Sequence, residues 1–107
     1  MLASVSLAAA HPVPARDAAL HTGERVEVFG LVAEVRRLRR GSVAIDLDTR
    51  YPREAFTLYV PRDDVENFED LRRFRHKIIA VLGVVKIYKG RPEIVLEFPD
   101  QIVSPPK

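Results

Sequence analysis

The stretch Lys77–Pro99, KIIAVLGVVKIYKGRPEIVLEFP, decides how the rest of the chain must fold. Ile79, Val81, Gly83, Val85 and Ile87 alternate along its first half, and Ile94, Leu96 and Phe98 along its second. A period of two places each set on one face of a pleated strand, so the stretch predicts an antiparallel hairpin. Its turn is Tyr88-Lys89-Gly90-Arg91-Pro92, where Gly90 supplies a permissive φ and Pro92 needs a site without a ladder N–H. Gly83, in mid-strand, marks the bend of a small barrel rather than a flat sheet.

The chain has 107 residues, enough for one domain with its own core. With 47% hydrophobic and 30% charged residues it reads as globular rather than disordered. A net charge of +2 implies no nucleic acid by itself, but Arg36, Arg37, Arg39 and Arg40 are bunched while Asp63 to Asp70 is acidic. There is no cysteine, which excludes disulfides and thiolate metal sites. No run is long enough to span a membrane as a helix. MLASVSLAAA, at the start, resembles the later part of a secretory signal ending in small residues, without the basic beginning. The expectation is an exported, periplasmic or extracellular protein, with a cytoplasmic one as the alternative. Residues 1–13 are read as signal remnant or flexible N-terminus, 14–103 as the folded domain and 104–107 as a tail.

Pro14 to Leu20 suits a short helix, with Gly23 just past its end, plugging the barrel with Ala18 and Leu20. Arg25–Val35 is the first strand, with Val26, Val28, Gly30 and Val32 inward and a bulge near Ala33-Glu34. Ser42–Leu47 is the second, with Val43, Ile45 and Leu47 inward and Ala44 and Asp46 outward. Phe56, Leu58 and Val60 define the third. One helix should follow, capped by Asp63 or Asp64 and burying Val65, Phe68, Leu71 and Phe74. Three strands, a helix and a hairpin is the order of an all-β, five-stranded Greek-key OB-fold barrel, with one helix between strands three and four and a short N-terminal helix.

The segments HTGERVEVFGLVAEV, GSVAIDLDTRYP, FTLYV and KIIAVLGVVKIYKGRPEIVLEFPDQI, in that order over residues 12 to 103, are similar to the bacterial OB-fold domain of the nucleic-acid-binding type. That domain occurs alone in exported proteins or appended to thermonuclease-like nucleases. His21-x-Gly23-Glu24, Tyr51-Pro52, YKGRPEI and Asp100-Gln101-Ile102 carry the resemblance. It implies a nucleic-acid-binding barrel without catalytic residues. The chain departs from the pattern at His76, where such domains usually have glycine before the lysine.

In OB folds the loop after strand one and the loop between strands four and five flank the ligand groove. Here they carry Arg36, Arg37, Arg39 and Arg40 on one side and Lys89 and Arg91 on the other, all suited to phosphate. The plain alternative is a solvated hairpin tip. Tyr59, pointing out of strand three, would stack a base, while Tyr51 either joins it or packs over a barrel end. Asp46 and Asp48 should project into the same groove and weaken phosphate binding. They supply too few oxygens for a metal and are read as solvated partners of Arg50 or Arg53. His11, His21 and His76 have no nucleophile or zinc-type partner, so neither enzyme nor cofactor is expected. The expected partner is single-stranded DNA or RNA. The rival is a protein-interaction or homodimer module using an apolar outer face of strands one and four, formed by Phe29, Leu31, Leu82 and Val84 and extended by Val95.

Overall fold

A computed structural model describes residues 11–103, so the expected export signal lies outside the described residues. The described residues are mostly β, with eight strands in one sheet: β1 (Val13–Pro14), β2 (Arg25–Arg37), β3 (Val43–Leu47), β4 (Phe56–Val60), β5 (Ile78–Val84), β6 (Lys86–Tyr88), β7 (Arg91–Val95) and β8 (Ile102–Val103). The hydrogen-bonded order is β6-β7-β4-β3-β2-β5-β8, with β1 beside β2.

Strand β2 holds the sheet together. Residues 25–31 pair antiparallel with β5, and residues 32–37 pair antiparallel with β3. The register shifts between Val32 and Glu34, where the phase of the apolar pattern slips, as the bulge expected there requires. At the far end β4 and β7 pair in parallel, Leu58 opposite Ile94.

Eight strands stand where five were expected, for two physical reasons. β1 and β8 are two-residue additions: Val13 pairs with Val28, and Ile102 with Val81. Val13, assigned from sequence to the N-terminal segment, is therefore part of the sheet. The expected fourth strand is divided at Val85, whose N–H donates to the Glu24 carbonyl (3.0 Å) and whose carbonyl accepts from Gly23 N–H (2.7 Å). On its N-terminal side the chain pairs with β2, and on its C-terminal side with β7, so Val85 is where one strand changes partners.

The inward alternation fills the core, with Val28, Ile45, Leu58, Val81, Ile94 and Leu96 all excluded from solvent. The N-terminal helix is a 3-10 helix, Ala15–His21. Its Ala15 and Ala18 are buried, but Leu20, expected to plug the core, is 79% exposed. In a helix of about three residues per turn, Ala15 and Ala18 share a face and Leu20 does not.

The single helix expected before β5 is replaced by two 3-10 turns, Arg62–Asn67 and Leu71–Phe74. Phe68 between them is extended (φ −110°, ψ 148°), which breaks any continuous helix. Asp63 and Asp64 cap nothing; the cap is Asp70, whose Oδ1 accepts from Arg72 N–H at 3.0 Å. Short segments rich in Asp and Asn favour such local bonds over a costly α-helical nucleus. The apolar side chains still pack as expected: Leu71 is buried, and Val65, Phe68 and Phe74 lie against the core.

Candidate nucleic-acid interface

Because Ile45, Leu58 and Ile94 point into the core, their strand neighbours point to the opposite face. Cross-strand register then sets out two rows on that outer face. One runs Asp46, Thr57, Glu93, Lys86 across β3, β4, β7 and β6; the next runs Ala44, Tyr59, Val95.

Over the β6 and β7 end of these rows lies a cleft of about 900 Å3. One wall is the β2–β3 connection, with Leu38, Arg39 and Arg40; Arg40 has a left-handed backbone (φ 70°). The other is the β6–β7 hairpin, with Lys86, Tyr88 and Lys89. Lys89 and Gly90 both have positive φ (51° and 80°), the pattern of a two-residue type I′ turn that matches the twist of its strands. Tyr59, Glu93 and Val95 lie between the walls, and Glu97 at the margin. Four cations thus share the cleft with two tyrosines, Tyr59 half-buried and Tyr88 exposed. The Lys89 ammonium lies 5.4 Å from the Tyr88 ring centroid. On the cleft floor the Glu93 side chain is 9% exposed, with the Lys86 ammonium 4.0 Å away. Burial raises its pKa, and Lys86 opposes the rise.

The other sequence-predicted cations are placed elsewhere. Arg36 grips Asp46 in a bidentate pair, Nε to Oδ2 at 2.7 Å and Nη2 to Oδ1 at 2.9 Å. Asp46 is wholly buried, which overturns its reading as a solvated acid in the groove. The reason is Arg36: its guanidinium satisfies both carboxylate oxygens and lets the acid lie beneath it. That pairing also raises the Arg36 pKa, with the Asp46 hydrogen bond the leading cause. The same guanidinium lies 4.2 Å from the Tyr51 ring centroid, and that of Arg91 lies 5.3 Å away. Arg91 bonds to Glu54 Oε2 and to the Pro52 carbonyl (3.3 Å). Arg36, Arg91, Tyr51 and Glu54 are therefore knotted together, pinning the β3–β4 loop across the outer face. Arg37 lines a separate hollow with Val35, Val65 and Leu71. Asp48 Oδ1 accepts from Leu31 N–H at 3.2 Å, and Arg50 sits beside Glu34 at 3.6 Å rather than either aspartate.

Of the predicted groove residues, then, the cleft assembles Arg39, Arg40, Tyr59 and Lys89 and leaves out Arg36, Arg37 and Arg91. Lys86, Tyr88 and Glu93 are its members missed from sequence. The signal for them was the alternation itself: Lys86 and Tyr88 are the out-of-phase neighbours of Val85 and Ile87. His21 pairs through Nδ1 with Glu24 at 3.0 Å, away from the cleft.

The outer face of β2 and β5 is a second surface. Register places Glu27 opposite Leu82, Phe29 opposite Ala80 and Leu31 opposite Ile78. Leu31, Ile78 and Val84 are exposed there (41, 54 and 47%), with Phe29 and Leu82 half-buried among them. Val95, expected to extend this patch, belongs to the cleft instead, because β7 pairs with β4.

No family model matches the chain, and no curated protein sequence is significantly similar to it. Among solved structures it is similar to a protein assigned as an aspartyl-tRNA synthetase from Leishmania major Friedlin, with a TM-score of 0.60 and 12% identity. That likeness covers 95% of this chain and spans only 22% of the synthetase. It is also similar to an OBody bound to hen egg-white lysozyme, with a TM-score of 0.53, 25% identity, and 82% and 84% of the two chains covered. The chain shares its mostly-β fold with these structures.

Proposed function

We propose that this chain is a noncatalytic OB-fold module that binds single-stranded nucleic acid in the cleft between the β2–β3 connection and the β6–β7 hairpin. The barrel reading is supported by the parallel β4–β7 pair and by β5 running into β6 through Val85, which brings the strand order back towards its start. One observation carries the ligand: Arg39, Arg40, Lys86 and Lys89 line one cleft together with Tyr59 and Tyr88. Cations hold a phosphodiester strand and aromatic rings stack its bases, which is what single-stranded binding requires. A fluorescence titration with labelled single-stranded DNA and RNA at two salt concentrations tests it. Binding that weakens with salt is expected, and no binding to any strand at low salt rejects the reading.

A second reading, pairing of two copies through the outer face of β2 and β5, is favoured by the exposure of the register partners Leu31 and Ile78 at one end of that ladder and of Val84 at the other. Leu82→Glu should then elute as a folded monomer while the wild type elutes as a dimer. Equal monomeric elution of both at micromolar concentrations rejects it.

A further inference from the structure

Glu93 is out of place in a cleft suited to phosphate. Its side chain is nine-tenths buried on the cleft floor, and its nearest charged partner, Lys86, stands at 4.0 Å. Among the described residues no donor hydrogen-bonds to it, and desolvation dominates its surroundings. Its oxygens open only onto the cleft, where little water reaches them, so a ligand that brings N–H groups there supplies the hydrogen bonds that the protein does not. A phosphate brings none and is repelled. The group that meets Glu93 is therefore a base.

An ionised carboxylate presents two acceptors side by side and no donor. Adenine and cytosine set a ring-nitrogen lone pair next to their amine, which would face a carboxylate oxygen. Thymine and uracil flank a single N–H with two carbonyls. Guanine alone presents two adjacent donors, N1–H and N2–H, followed by the O6 acceptor. The Lys86 ammonium beside Glu93 supplies a donor for O6, so the pair offers acceptor, acceptor, donor against donor, donor, acceptor. Tyr59 on β4 is two residues from Thr57, the register partner of Glu93, and Tyr88 is two residues from Lys86. Both rings thus border the position where that base would stack.

We infer that the cleft reads guanine in a single strand, through Glu93 and Lys86. The inference rests on the nucleic-acid reading above and deepens it. The test is a low-salt fluorescence titration of a nine-nucleotide thymidine strand, and of the same strand with guanine or hypoxanthine at its centre. Guanine should tighten binding roughly tenfold, as a good bidentate base contact does. Hypoxanthine, which keeps N1–H and O6 but lacks the amine, should fall between guanine and thymine. Glu93→Gln and Glu93→Ala should each lose the preference for guanine over thymine, whatever their affinity for the all-thymidine strand. Thermal melts of both variants establish that they are folded. Equal, salt-sensitive wild-type binding of all three strands overturns the guanine readout while leaving the nucleic-acid reading standing. So does a preference that survives in both folded variants. No binding to any of the strands overturns both.

Discussion

Three residues show how local chemistry sets stability here. His76 has φ 67°, a left-handed backbone that costs a residue with a Cβ more than glycine. His76→Gly should therefore raise stability by up to about 1 kcal/mol in thermal or denaturant unfolding. Gly83 is constrained by contact instead: a Cβ there would lie 2.6 Å from Ile94 Cγ2, in the middle of the core. Gly83→Ala should cost about 1–3 kcal/mol, and an unchanged melting temperature would show that Ile94 can yield. Glu93 adds a pH dependence. Its pKa is raised in the fold, so between the unfolded and folded values the native state holds more protons, and stability falls as pH rises through that window. Glu93→Gln should thus melt above the wild type at pH 7, and the difference should close as pH falls below the window.

Among the elements, the β3–β4 loop gives the clearest case of structure imposed by a few side chains. Arg91 holds it through Glu54 and the Pro52 carbonyl, while Thr57 Oγ1 donates to the same Glu54 oxygen at 3.2 Å. The Glu54 side chain is only 3% exposed, and its Oε1 has no partner among the described residues. Arg91→Ala should strand that carboxylate, cost about 1–3 kcal/mol, and speed amide exchange from Thr49 to Glu54 while leaving β5 protected. The knot was illegible in the sequence because Arg36 on β2 and Arg91 on β7 lie far from the β3–β4 loop along the chain and reach it only through the sheet. The strands were legible from alternation as far as Val85 and Leu96, but Ile87 and Phe98, in phase with the core residues, are 47 and 56% exposed, because they lie past the points where the strands leave the core. The helix before β5 was half legible: apolar spacing located its buried side chains, but did not distinguish one α-helix from two 3-10 turns separated by an extended Phe68.

For the whole molecule, the arginine run between β2 and β3 shows why charge along the chain misjudges charge in space. Arg36, Arg37 and the pair Arg39 and Arg40 go to three different places: a buried aspartate, a hollow beside Leu71, and the cleft. Lys86 and Lys89 reach that same cleft from the far end of the sequence. If these four cleft cations contact phosphates, replacing Arg39, Arg40, Lys86 and Lys89 by serine should flatten the dependence of log affinity on log salt by about 0.7 for each lost contact. Arg36→Ser should change that slope little and lower stability instead, because it uncovers Asp46. A salt slope that responds to Arg36 as strongly as to Arg39 would mean the pair with Asp46 opens in solution.

The exchange of partners at Val85 also bears on how the domain can come apart. One unbroken backbone serves the ladder with β2 on one side and the ladder with β7 on the other, so neither half can melt and leave the other with its edges intact. Cutting the chain at Val85 should leave two pieces that are unstructured alone and fold only when mixed, each serving as the other's template. The amide of Val85 itself should exchange with solvent only when the whole domain opens.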